Sequence, residues 1–502
     1  MRNELNQALL RLLIRSWLSV LVMLPILGGS IAAAADRPNI VIILADDLGY
    51  GSLNSYGADV SLIHTPNIDR LAMQGRRFTD ANTPSSVCSP TRYGLLTGRY
   101  DWRTNQKHGV INTTDPLHIE TSRSTIASVL KSAGYRNAAI GKWHLGYGTG
   151  KADFTKPLTP GPLDIGFDYH FAVPQNHGDA SGVYVRNRQV VGLRSGENVA
   201  AGRSPYGRDY MGIDAPQRVD ENVMDELTTD AIGWLEEPKR DEPFFLYFAP
   251  VAIHFPYTPS EETSGTSGTG LYGDWIHELD RSVDRILDTL DRMKVADDTL
   301  VIFTSDNGGV LMTVGERPEA EAFRAGLRPN GQWRGRKHSI YEGGFRVPFL
   351  VRWPGHVAPG TVCDETINLV DMYATIAALI AQPVSPNKEI AEDSFNVLPA
   401  FLGVPHEEPL RPSMIVHSPN GNYAIRSGPW KYIEGQASPT LKRPSQRDEL
   451  HAQLYNLQDD PGEQNNVVDE HPGIRKRLAS LLEQHRKSGR SSTSVLHREN
   501  SP

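Results

Sequence analysis

The chain has 502 residues, 39% hydrophobic and 22% charged, with 45 Gly, 35 Pro and 2 Cys, and a formal net charge of −8. The apolar share supports a sizeable core, and Gly plus Pro, at about 16%, falls short of the level that marks low-complexity disorder. The acidic balance argues against a nucleic-acid partner, and two cysteines as far apart as Cys88 and Cys363 cannot staple a disulfide scaffold.

At the N-terminus, Arg2, Arg11 and Arg15 precede an apolar run over residues 17–27, and alanines follow at 32–35. A basic region, an apolar stretch and an A-x-A site read as a secretory signal over residues 1–35. Residues 17–35 are just long enough to span a bilayer as a retained anchor. Pro25, Gly28, Gly29 and the alanines favour cleavage instead. The expectation is an exported protein, periplasmic or secreted, acidic and without membrane contact after cleavage.

Beyond Asp36 apolar runs alternate with amphipathic segments. Residues 40–44 (I-V-I-I-L) are unbroken and mostly β-branched, the mark of a strand buried on both faces. Similar runs lie at 244–248, 300–304 and 348–353, with helical patterns at 67–74, 124–133, 219–235 and 272–293 between them, and 137–141 is read as a further strand. This predicts an α/β fold with a large, mostly parallel central sheet covered by helices. From about Ser413 short strand-like pieces (M-I-V-H, Y-A-I-R, W-K-Y-I) lead to a helix near 473–486, which predicts a small C-terminal α+β subdomain. The expected organisation is a main domain over 36–408, the subdomain over 409–488 and a flexible tail over 489–502. Two Gly- and polar-rich stretches, 146–218 and 311–335, read as too irregular for sheet and as loops on the rim of a site.

Ligands of open α/β sheets sit beyond the carboxyl ends of the strands. The first strand ends in Asp46-Asp47, and the strand near Val301 ends in Asp306-Asn307-Gly308-Gly309. Three carboxylates and an amide oxygen suit a hard divalent cation, Ca²⁺ or Mg²⁺. Either pair alone also reads as ordinary turn chemistry. The segment Cys88-Ser89-Pro90-Thr91-Arg92 supplies the third part. Pro90 fits a first helical turn, which puts Cys88 at a helix mouth where free N–H groups favour an anion. Arg92, four residues on, projects from the same face. That set suits a tetrahedral oxyanion; a buried structural cysteine, or a thiolate enzyme with His144 as base, are the alternatives.

Cys88-x-Pro90-x-Arg92, followed by Leu95-Leu96-Thr97-Gly98-Arg99, resembles the signature of the type I sulfatases. Further matches are Thr65-Pro66-Asn67-Ile68-Asp69-Arg70, Gly141-Lys142-Trp143-His144-Leu145-Gly146, and Gly335-x-Lys337 running to Glu342-Gly343-Gly344. Leu454-Tyr455-Asn456-Leu457 with Asp460-Pro461-Gly462-Glu463 resembles the closing motif of that family. Within it the chain is similar to the arylsulfatase and N-acetylgalactosamine-6-sulfatase group.

The resemblance implies an alkaline-phosphatase-like fold and a sulfuric ester hydrolase acting on a sulfated carbohydrate or an aryl sulfate. It implies that Cys88 is converted to Cα-formylglycine by a formylglycine-generating enzyme during export. It implies a Ca²⁺ held by Asp46, Asp47, Asp306, Asn307 and an oxygen at position 88. Arg92, Lys142, His144, His254 and Lys337 complete the implied catalytic set. In that scheme a hydroxyl of the hydrated aldehyde attacks sulfur. His254, assisted by Lys337, protonates the leaving alcohol, and His144 removes the proton that lets sulfate depart. A phosphate or phosphonate monoester hydrolase of the same superfamily is the alternative. Cys363 is then the one remaining thiol, expected buried and inert. His177, Arg186, Arg324 and Trp333, on the two irregular stretches, are candidate substrate contacts.

Overall fold

The computed structural model describes residues 37–203, 207, 209–237, 242–382, 389–435 and 451–492; the expected signal segment, 1–35, lies outside the described residues. Residues 40–44 form the middle of a strand, β1 (Asn39–Ala45), buried on both faces as their pattern requires. Ile40, Ile42 and Leu44 pack into one apolar layer, and Val41, Ile43 and Ala45 into the other. Period-two alternation makes one apolar run serve two layers.

The other strands, in chain order, are β2 (Arg76–Phe78), β3 (Ala81–Asn82), β4 (Arg136–Lys142), β5 (Tyr169–Val173), β6 (Val185–Arg186), β7 (Gln189–Val190), β8 (Phe244–Ala249), β9 (Thr299–Ser305), β10 (Phe349–Arg352), β11 (Thr361–Cys363) and β12 (Ile367–Asn368). Ten of the described strands make one sheet in the order β11-β2-β10-β9-β1-β8-β4-β5-β6-β7, and β3 pairs with β12. The centre, β9-β1-β8-β4-β5, is entirely parallel, so its carboxyl ends share one edge. β10 runs antiparallel to β9 and β2, and β6 and β7 return antiparallel beyond β5.

Helices cover both faces. Leu271–Arg292 buries Trp275, Leu279, Val283, Ile286 and Leu290 at helical spacing against the Val41/Ile43 layer, beside Val223–Glu236. Cys88–Thr97, Ile126–Ser132 and Met372–Leu379 cover the opposite face. The C-terminal part is an antiparallel sheet of β13 (Met414–His417), β14 (Tyr423–Ser427), β15 (Trp430–Ile433) and β16 (Gln453–Asn456). The helix Pro472–Lys487 packs on it through Leu478 and Leu482, in one apolar cluster with Tyr100, Trp102 and Val370 of the main body.

Four expectations are corrected. Residues 146–218 supply β5, β6 and β7 to the main sheet; these strands are short and sit towards its edge, so they carry no long apolar run. Residues 311–335 include a helix, Pro318–Ala325, started by its proline and ended by Gly326 in the left-handed region. Cys363 is half-buried rather than buried, because β11 is the edge strand; it and Cys88 are both free thiols. The start of the presumed tail is held: Ser491 and Ser492 are buried and donate from their backbone to the Glu392 carbonyl.

Candidate active site

Parallel register brings the two acidic strand ends level. Ala45 pairs with Ser305, and the Asp306 N–H donates to the Ala45 carbonyl at 3.1 Å. The Asp47 N–H donates to Asp306 Oδ1 at 3.1 Å. Ser305 stitches the ends further: its Oγ accepts from the Leu48 N–H and donates to the Asn307 carbonyl. The Asp47 backbone lies in the left-handed region (φ 62°), as does His144 (φ 58°) beyond β4.

Cys88 begins its helix with Val87 extended before it and no side-chain cap, so the N–H groups of the first turn stay free for an anion. Its Sγ lies 3.8 Å from Asp46 Oδ1. Ligand atoms of Asp46, Asp47, Cys88 and Asp306 all lie within 4.8 Å of one another, and all four residues are buried. Asn307 donates through Nδ2 to Asp47 Oδ1 at 2.8 Å, while its Oδ1 is buried and accepts no hydrogen bond among the described residues. An orphaned amide oxygen beside three carboxylates is the donor set of a hard oxygen-seeking cation.

Three cations are bound to the three carboxylates. Lys142 Nζ contacts both Asp46 oxygens at 2.7 and 2.8 Å, and Lys337 Nζ contacts both Asp47 oxygens at the same distances. Arg92 grips Asp306 Oδ2 through Nε (3.1 Å) and Nη2 (2.7 Å) and donates to the Lys142 carbonyl. Burial lifts the Asp46 carboxyl to about 7 even with Lys142 beside it. Burial acts on Asp47 in the same sense, but Lys337, His254 and Lys142 outweigh it and hold that carboxyl well below the usual range. Burial pushes the Cys88 thiol up to about 12, which disfavours an unmodified thiolate nucleophile.

The two histidines have defined hydrogen bonds. His144 Nε2 contacts the Ile111 carbonyl at 2.9 Å, which makes Nε2 the protonated nitrogen; Nδ1 is buried and has no hydrogen-bond partner among the described residues. The Ile111 N–H is in turn held by Ser89 Oγ, the residue next to Cys88. His254 donates from Nδ1 to the Phe255 carbonyl at 2.6 Å and turns Nε2 towards Asp47 Oδ2, 3.9 Å away. Burial, reinforced by the neighbouring cations, holds both imidazoles neutral, far below the ordinary histidine value.

All ten catalytic and metal candidates, Asp46, Asp47, Cys88, Arg92, Lys142, His144, His254, Asp306, Asn307 and Lys337, thus gather in one set, buried except for the partly exposed His254. The four candidate substrate contacts lie apart from its contacts. His177 is fully buried, bonded to Thr258 Oγ1 and stacked on Trp275. Arg186 is on β6, towards the sheet edge, paired with Asp230. Arg324 is exposed and caps the Gly315 carbonyl. Trp333 meets Tyr50 edge-on and carries the Arg346 guanidinium over its ring. The supporting groups that sequence reading missed are Ser305, Ser89 and the Ile111 carbonyl. Of these only Ser89, inside the Cys-x-Pro motif, had a sequence signal.

A buried cluster of carboxylates and cations at the carboxyl edge of a parallel sheet, with a nucleophile position at a helix mouth, defines an ester hydrolase of alkaline-phosphatase-like fold. The model of the Sulfatase family matches residues 38–381, and that match makes the chain a member of the sulfatase family and a sulfuric ester hydrolase. It is 37% identical over 485 residues to N-acetylgalactosamine-6-O-sulfatase of Bacteroides thetaiotaomicron, covering 89% of this chain and 93% of that one. It is 33% identical over 483 residues to arylsulfatase A of Homo sapiens, covering 90% and 87%. A solved structure from work on metabolism of multiple glycosaminoglycans by Bacteroides thetaiotaomicron superposes with a TM-score of 0.82 at 36% identity, covering 90% of this chain and 100% of the other.

Proposed function

We propose that the substrate is a sulfated carbohydrate of the glycosaminoglycan class, hydrolysed with a bound Ca²⁺ and a formylglycine made from Cys88. The observation that carries the metal is the buried, unpartnered Asn307 Oδ1 beside Asp46, Asp47 and Asp306. The carbohydrate class rests on the similarity to N-acetylgalactosamine-6-O-sulfatase and to a structure from glycosaminoglycan metabolism.

Asp46, Asp47, Asp306 and Asn307 would hold the ion, which when bound supplies positive charge to polarise the sulfate oxygens. A formylglycine at position 88 would supply, as its hydrate, a hydroxyl nucleophile with an internal exit that a serine ester lacks. Arg92, Lys142 and Lys337 balance the three aspartates charge for charge, so a divalent cation leaves a surplus that stabilises a bound sulfate. His144, with Nε2 committed to Ile111, offers Nδ1 as the proton acceptor near position 88. His254 Nε2, with Lys337 beside Asp47, serves the leaving alcohol oxygen. Its neutral state belongs to the site without substrate; an anionic ester favours the protonated ring.

The test is the mass of the tryptic peptide spanning residues 78–92 of active enzyme, with its Ca²⁺ content. Turnover of nitrophenyl sulfate is expected to exceed that of nitrophenyl phosphate. An intact thiol in the active enzyme overturns the formylglycine, and preference for the phosphate ester overturns the substrate class. We propose export on the basic-apolar-alanine pattern of residues 1–35; an N-terminus at or near Asp36 in the extracytoplasmic fraction is the expected result.

A further inference from the structure

The closing motif, ending in Glu463, has no part in the chemistry above, although it lies in the C-terminal subdomain beside the loop that carries Lys337. That loop is pinched. The Gly343 N–H donates to the Arg334 carbonyl at 2.7 Å, and a Cβ at Gly343 would stand 2.6 Å from the Gly335 carbonyl oxygen. Its end meets the metal-side strand end, where the Gly308 N–H donates to the Gly344 carbonyl and the Lys337 N–H to the Gly309 carbonyl.

From the C-terminal side, Glu463 Oε2 accepts the Glu342 N–H at 2.7 Å, and its carbonyl accepts from Arg334 Nη1 at 2.7 Å. Lys431 on β15 bridges Glu342 Oε1 (2.9 Å) and Glu463 Oε1 (2.8 Å). Arg346 bonds Glu342 Oε2 at 2.7 Å and also pairs with Asp80, which Arg426 of β14 joins at 2.8 Å. Three carboxylates and three cations are paired here, and the innermost of them, Glu342, Lys431 and Glu463, are all at most 1% exposed. Displacing a member of such a buried ion-pair network leaves a charge unpaired.

We propose that Glu463 and Lys431 are positioning residues for Lys337: by clamping Glu342 and Arg334 they fix the two ends of the 334–344 loop and so set where Nζ stands. The proposal rests on the reading above that Lys337 assists departure of the leaving alcohol. A lysine slightly out of place then costs most with a poor leaving group and little with a good one.

The experiment compares the full-length matured enzyme with Glu463→Gln, Glu463→Leu, Lys431→Met, Lys431→Arg and Lys337→Ala, on nitrophenyl sulfate and on a 6-sulfated N-acetylgalactosamine. Glu463→Gln keeps an acceptor for the Glu342 N–H and guards against loss of fold, which thermal unfolding monitors. Expected for Glu463→Leu and Lys431→Met is a fall in kcat of about tenfold to a hundredfold on the sugar ester, with KM little changed and nitrophenyl sulfate turnover retained. Lys431→Arg and Glu463→Gln should recover part of the loss, and adding Glu463→Leu to Lys337→Ala should cost nothing more. Equal losses on both esters, or full additivity with Lys337→Ala, would overturn the positioning role alone. Full sugar-ester turnover by Lys337→Ala would overturn the Lys337 reading and this proposal with it.

Discussion

Asp47 shows how many demands one residue can meet. Its left-handed backbone turns its N–H to Asp306, and its side chain takes Lys337 on one side and the Asn307 amide on the other. Cys88, by contrast, is a small buried side chain whose Sγ makes one long hydrogen bond, to Asp46, among the described residues, so removing its sulfur should leave the fold intact. Cys88→Ala is expected to lose nitrophenyl sulfate turnover by on the order of 10³-fold or more while melting near the parent temperature. A cold, unfolded variant would instead mark the thiol as structural. His170 offers a test outside the site. Its Nδ1–H donates to the Ala139 carbonyl and Nε2 accepts from Tyr147, and burial pulls its pKa down to about 3. The folded value lies below the unfolded 6.5, so the neutral ring favours folding fully above pH 6.5. That contribution is lost as pH falls from 6.5 towards about 3, at up to about 1.4 kcal/mol per pH unit. Urea midpoints of His170→Phe should therefore depend less steeply on pH below 6.5 than those of the parent; parallel slopes would refute this.

At the scale of elements, β4 depends on one glycine. Gly141 has φ +115°, and a Cβ there would stand 2.0 Å from the Ala249 carbonyl oxygen of β8. Gly141→Ala should destabilise by well over the ~1 kcal/mol that such an exchange ordinarily moves, and should displace Lys142 next to it. Chemical denaturation together with Ca²⁺-dependent stabilisation would detect both; a neutral substitution would show that the two strands have room to part. The central strands and long helices were legible because both faces of the sheet are apolar and the helices carry an apolar stripe. The apolar run at 40–44 and the spacing of Trp275, Leu279 and Val283 are examples. β6 and β7 are not legible, because two-residue strands have no period to read. In the sequence β16 reads as a motif and not as a strand, since only pairing with β15 makes Gln453–Asn456 extended.

For the whole molecule, the C-terminal sheet is joined to the main body by buried charge as well as apolar packing. Arg411, at its entry, binds Asp371 through Nε (2.8 Å) and Nη2 and donates to the Asp393 carbonyl, with both ionic partners fully buried. Arg411→Met leaves Asp371 without its partner and should cost about 3–5 kcal/mol. Thermal unfolding followed by fluorescence and by loss of activity should then fall together, because Lys431, which clamps the Lys337 loop through Glu342, lies in the same sheet. Separation of the two transitions would mean that the sheet unfolds without disturbing the site.

The sequence alone determined the parallel α/β core, the acidic strand ends and the Cys88 helix mouth, because each is written in local chemistry: β-branched runs, Asp-Asp and Asp-Asn turns, a proline in a first helical turn; His254 and Lys337 entered the candidate set through the family resemblance alone. Only the tertiary structure decided that Lys142, Lys337 and Arg92 each hold a particular aspartate, and that His177 is buried rather than open to a ligand. It alone tied Glu463 to the loop of Lys337. These are pairings between residues far apart in the chain, and their distances depend on strand order and register, which no single segment encodes.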